Sequence, residues 1–83
     1  MSEAMVEQIR ARLAAAFSPS ELDVTDEGHL HRGHAREGKG HFHVHIVSPA
    51  FAGVLPIRRH RMIYAELDDL MNRGIHALSI DAK

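Results

Sequence analysis

HFHVHIVS, residues 41–48, is the stretch from which the fold can be read. Phe42, Val44 and Ile46 alternate with His41, His43 and His45, a period of two that puts apolar residues on one side and imidazoles on the other. That is a half-buried strand, and the three histidines read first as the wet face of a sheet covered on one side only. Alternate residues of a strand stand about 7 Å apart, so neighbouring imidazoles could also hold a metal, the second-ranked reading. Upstream, LDVTDE (residues 22–27) alternates in the same way. The intervening Gly28–Gly40 stretch, rich in glycine, charge and histidine, is a loop, so the two strands form a long-looped antiparallel hairpin.

Working outward, SPAFAG (residues 48–53) suggests a short helical turn, and Pro56 suits the start of a helix. Ile63, Leu67, Leu70 and Met71 then give the core stripe of a helix running to about Arg73, with Gly74 placed to cap it. IHALSI (residues 75–80) is a last short strand. At the other end, Ser2 is a candidate N-cap, and Val6, Ile9, Leu13 and Phe17 mark a helix from about Glu3 to Ala16. SPSE (residues 18–21) is the turn that follows it. The order is α-β-β-(short α)-α-β. Its class is α+β: a single small domain, residues 1–83, with a three-stranded sheet and helices packed on one face.

The bulk composition narrows the function classes. A chain of 83 residues buries only about 60% of its unfolded surface, so the core is small. Hydrophobic residues at 45% and charged residues at 25% are ordinary for a globular domain. No apolar run is long enough for a membrane span, and the acidic, amphipathic start MSEAMVEQIRARL is unlike a secretory signal. With no cysteine the chain has neither disulfides nor thiolate chemistry, and a cytoplasmic location is the expectation. The formal charge of −1 with histidine neutral gives no global pull toward nucleic acid. Protonation of the histidines near pH 6 would turn that charge positive.

Six of the eight histidines fall between Gly28 and His45. His29, His31 and His34 lie in the loop, where burial does not explain them and imidazole is the commonest neutral metal ligand. They make no closed structural zinc site, which takes four ligands and commonly cysteine. His76 stands among apolar neighbours in the last strand, and His60 reads as a structural residue bonding a backbone group near its helix start. Arg58, Arg59 and Arg61 crowd the first turns of a helix, where cations oppose the dipole. They could meet phosphate or an acidic partner, or form a solvated face. Arg32, Arg36 and Lys39 extend that basic edge. No serine has an acid–histidine pattern beside it, so the chain does not read as an enzyme.

These residues also resemble a known family. LDVTDEGHLH, then HF-x-V-x-I-V-S-x-x-F-x-G (His41, Phe42, Val44, Ile46, Val47, Ser48, Phe51, Gly53), then Arg59 to Tyr64 as RHRMIY, then His76 to Leu78 as HAL, follow the BolA pattern in order. The resemblance implies an α-β-β-α-α-β fold similar to the type II KH domain. It implies an adaptor in iron–sulfur cluster biology that pairs with a monothiol glutaredoxin and glutathione and shares a bridging [2Fe–2S] cluster. His76 is the ligand that it carries over. The second ligand comes from the loop, where His31 matches by counting from the acidic strand end and His34 is the rival. The partner would supply the thiolates, and mixed histidine ligation raises the potential above that of an all-thiolate site. Through the KH-like fold and the helix of Arg58, Arg59 and Arg61, the resemblance carries a second reading as a DNA-binding transcriptional regulator. Nucleic acid is then the other partner class, and a weak homodimer of the isolated chain is the remaining expectation.

Overall fold

The computed structural model describes residues 2–28 and 40–83. The order is helix α1 (Ser2–Phe17), strand β1 (Glu21–Asp26), strand β2 (His41–Val47), a 3-10 turn (Pro49–Phe51), helices α2 (Pro56–Glu66) and α3 (Asp68–Met71), and strand β3 (Ala77–Ala82). The sheet runs β1-β2-β3, with β2 antiparallel to β1 and parallel to β3. Phe42, Val44 and Ile46 face the helices and are buried, as the period-two pattern requires. Ile9, Leu13 and Phe17 from α1, Ile63 from α2, Leu70 from α3 and Leu67 between those two helices close the core around Phe51.

The end of α1 shows how local chemistry sets the frame. Ser18 takes a left-handed φ of 44° and Pro19 cannot continue the helix. Buried Ser48, at the exit of β2, donates its hydroxyl to the Phe17 carbonyl at 2.6 Å and accepts the Ala50 amide at 3.1 Å. One side chain thus ties the end of α1 to β2 and caps the following turn. The Phe17 and Phe51 rings meet there, 5.1 Å between centroids.

The second long helix differs from its sequence reading. Instead of one helix to Arg73 capped by Gly74, the structure has a break at Leu67 (φ −101°, ψ 9°) and an end at Met71, with Asn72 as the cap residue. No glycine or proline marks the break. The Leu67 amide tightens onto both the Ile63 and Tyr64 carbonyls, and Leu70 then turns into the core. Arg12 of α1 holds the new segment with a two-pronged contact to Asp69, 2.7 and 2.6 Å, so the cause is tertiary.

Candidate functional site

His76 lies immediately before β3, one residue outside the strand in which the sequence placed it, and its side chain is exposed. Buried Ile75 anchors the backbone beside it. The His76 amide donates to the Gly40 carbonyl at 2.8 Å, and the Ala77 amide donates to the same oxygen at 3.1 Å. Gly40 is the last residue before β2, so His76 sits at the end of the sheet from which the β1–β2 connection leaves. The base of that connection is closed by the Glu27 amide on the His41 carbonyl, 2.8 Å, and by the Gly28 amide on Asp26 Oδ1, 2.8 Å. His31 and His34, like His29, Arg32, Arg36 and Lys39, lie outside the described residues.

Two residues that support this corner were not singled out from the sequence. Gly40 has φ +77°, and a Cβ there would stand 2.6 Å from His76 Cδ2, so a glycine is needed. Tyr64 reaches from α2 to donate its hydroxyl to the Leu78 carbonyl at 3.0 Å, holding β3 two residues past His76. A half-buried positive-φ glycine leaves no periodic signal, although its place just before a strand is one where tight turns occur.

The three arginines separate. Arg58 and Arg61 are exposed, and a shallow depression of about 560 Å³ beside them is lined by Gly53, Val54, Leu55, Arg58 and Met62. Leu55 and Ile57 are largely exposed next to it. Arg59 turns inward, donating Nε to the Val54 carbonyl at 2.7 Å and a guanidinium nitrogen to the Ala82 carbonyl at 3.0 Å. Its fork is committed to a loop and to the end of β3, which takes it out of the exposed set expected from RRHR. His60 also departs from expectation: it is half-buried, and its ring makes no hydrogen bond to a described residue.

The strand histidines do occupy the uncovered face, but they are more engaged than a wet face requires. His43 Nδ1 pairs with Ser79 Oγ at 2.8 Å. His45 Nδ1 meets Asp81 Oδ2 at 2.9 Å and its Nε2 meets Glu21 Oε1 at 3.1 Å, so one ring links both edge strands through the central one. Hydrogen bonds to Asp81 and then Glu21 raise the His45 pKa above its usual value. Bonding to His45 lowers that of Asp81. Among the described residues no group of three or more His, Asp or Glu is arranged to hold a metal, so the strand histidines form no centre of that kind.

The family model described as BolA-like protein matches residues 13–83. The chain belongs to the BolA-like family. It is 43% identical over 83 residues to SufE-like protein 1, chloroplastic/mitochondrial, of Arabidopsis thaliana, covering 92% of this chain and 22% of that protein. To the DNA-binding transcriptional regulator BolA of Escherichia coli it is 40% identical over 74 residues, 89% of this chain and 70% of that one. The solved BolA domain of SufE1 from Arabidopsis thaliana superposes with a TM-score of 0.86 at 44% identity, covering 96% of this chain and 91% of that one. BolA1 from Arabidopsis thaliana gives 0.83 at 36% identity, with 94% and 88% covered. These likenesses bear out the α+β fold with its three-stranded sheet, and the BolA-like domain is about a fifth of the SufE-like relative's length. No described helix is long and apolar enough to cross a membrane.

Proposed function

We propose that this BolA-like chain is a non-enzymatic adaptor that pairs with a monothiol glutaredoxin and glutathione and shares a [2Fe–2S] cluster with it. The observation that carries the reading is the exposed His76 imidazole beside Gly40, at the end of the sheet where the histidine-rich 29–39 segment is joined to β2. The donor set fits a shared site and not a self-contained one: the chain has no cysteine, and its described residues make no three-ligand group. His76 with His31 or His34 would provide nitrogen ligands, and the partner the thiolates. Bound in that way, a cluster with histidine on one iron would have a higher potential than an all-thiolate one. Because the ligands are divided between chains, loading the cluster and forming the complex would be coupled.

The test is anaerobic cluster reconstitution on an equimolar mixture with a monothiol glutaredoxin and glutathione, followed by visible circular dichroism. A spectrum distinct from that of glutaredoxin alone, lost in His76→Ala, is the expected result. A spectrum unchanged by His76→Ala sinks the ligand assignment. His31→Ala and His34→Ala then decide between the two loop histidines.

A second reading has its own support in exposed Arg58 and Arg61 and in the Escherichia coli relative, named as a DNA-binding transcriptional regulator. In it the α2 arginines contact the phosphate backbone of duplex DNA. Affinity should then fall steeply with salt and weaken in Arg58→Ala and Arg61→Ala. Absence of binding to duplex DNA at low salt removes this reading.

A further inference from the structure

We propose that Gly40 is the positioning residue for His76, setting the orientation of its ring through the absence of a side chain. This rests on His76 being a ligand in the shared site only for its functional consequence; the structural part stands by itself.

Three observations converge on one residue. The Gly40 carbonyl accepts the amides of both His76 (2.8 Å) and Ala77 (3.1 Å), so the backbone leading into β3 is pinned to it. A Cβ on Gly40 would lie 2.6 Å from His76 Cδ2 and 3.0 Å from the His76 nitrogen, and would also collide with the Gly74 carbonyl. The imidazole therefore occupies the space that any other residue at position 40 would fill. Finally, Gly40 is bonded in sequence to the 29–39 segment on one side and to His41 of the central strand on the other. The residue that leads into β2 is thus the one against which the His76 ring lies.

Relaxation around an added methyl is restricted. The Tyr64 hydroxyl holds the Leu78 carbonyl at 3.0 Å, and β3 continues in register with β2 from His41–Ala77 onward. The backbone past His76 is held in place, so the strain falls on the ring and on residues 74–76. Displacing an imidazole by an ångström or more is enough to spoil a ligand, since sites of this kind require their donors within about half an ångström.

Gly53 provides an internal control. Its φ of +74° matches that of Gly40, but a Cβ there meets nothing within 4 Å. Gly40→Ala and Gly53→Ala carry the same backbone cost in the left-handed region, and only the first touches His76.

The experiment compares the two variants in the apo chain by long-range 1H–15N correlation of the His76 ring and by amide exchange at His76 and Ala77. In Gly40→Ala the ring resonances should move and both amides should exchange at least about tenfold faster, whereas Gly53→Ala should leave all three as in wild type. Ring and amides unmoved in Gly40→Ala overturn the proposal. Should Gly40→Ala be too unstable to assign, the Gly40→Ala/His76→Ala pair replaces it: removal of the ring should restore part of the lost melting temperature, and strictly additive losses overturn the proposal. In the cluster-loaded mixture with a monothiol glutaredoxin, Gly40→Ala should weaken the visible circular dichroism toward that of His76→Ala while Gly53→Ala retains it. A wild-type spectrum in Gly40→Ala, with His76→Ala blank, overturns the link from ring position to ligation and leaves the adaptor reading intact. If His76→Ala itself changes nothing, the adaptor reading fails, and the ring and amide data alone decide whether Gly40 sets the ring.

Discussion

His45 and Asp81 face each other across the parallel pair of strands, Nδ1 2.9 Å from Oδ2, while the other ring nitrogen meets Glu21 on the antiparallel side. Two carboxylate acceptors on one imidazole favour its doubly protonated form, because only the cation donates from both nitrogens. The consequence is a pH-dependent tie across all three strands. The raised His45 pKa means that its stabilisation is fully present below the unfolded value of about 6.5 and is lost as pH rises through the folded one. Asp81, lowered by His45, contributes above its own unfolded value and loses that contribution on acidification. His45→Gln should therefore lower the melting temperature most between roughly pH 4 and 6.5 and progressively less above neutrality. Thermal melts of both proteins at about pH 5.5 and about pH 8.5 read this directly. A gap of constant size across that range would refute the tie.

The Arg12–Asp69 fork predicts the opposite pH dependence. Hydrogen bonding to Arg12 holds the Asp69 carboxyl at about 2, so its stabilisation exists above the unfolded value and is lost as pH falls through about 2. Both side chains are about two-fifths exposed, so solvent screening keeps the contribution modest. Asp69→Asn should melt earlier than wild type at neutral pH, and the difference should shrink as pH falls below about 4. Arg12→Lys should not substitute, because an ammonium lacks the planar fork.

Ser48→Ala removes the donor to the Phe17 carbonyl and the acceptor for the Ala50 amide in a buried corner. Leaving buried polar groups unmatched costs about 1–3 kcal/mol, which urea denaturation at unchanged m-value would register. A loss under about 0.5 kcal/mol would mean that water replaces the hydroxyl.

Among the arginines, stability and surface chemistry should divide. Arg59→Ala breaks two bonds to backbone carbonyls and should cost about 1.5 kcal/mol, the low end for charge-assisted bonds because the side chain is half-exposed. Arg58→Ala and Arg61→Ala should each stay within about 0.5 kcal/mol of wild type, as surface substitutions do. Chemical denaturation of the three variants side by side separates them, and equal losses would contradict the inward role of Arg59.

Much of the frame is visible in residue order. Phe42, Val44 and Ile46 against His41, His43 and His45 define both faces of the central strand, and Ile9, Leu13, Ile63, Leu67 and Leu70 are buried where helical spacing puts them. The exposure of His76 and its contact with Gly40 are less visible. His76 meets Gly40 across thirty-six positions of sequence, through a hydrogen bond and a steric fit that periodicity does not encode. RRHR, likewise, looks like a uniform basic patch, yet Arg59 is drawn inward by the Val54 and Ala82 carbonyls. His31 and His34 lie outside the described residues, and their assignment stays with the reconstitution experiment.

The core residues and the succession of helices and strands, apart from the split at Leu67, follow from residue order, because burial repeats with a period of two or 3.6 along the chain. The family was legible separately, in the motifs around His41, Arg59 and His76. Tertiary structure alone decided that β3 lies parallel to β2, that the long helix breaks at Leu67, that His45 joins three strands, and that Gly40 carries the His76 backbone. Each of these depends on groups far apart in the chain finding a partner at hydrogen-bonding or contact distance. Such distances exist only once the layers have packed, and a local pattern carries no information about them.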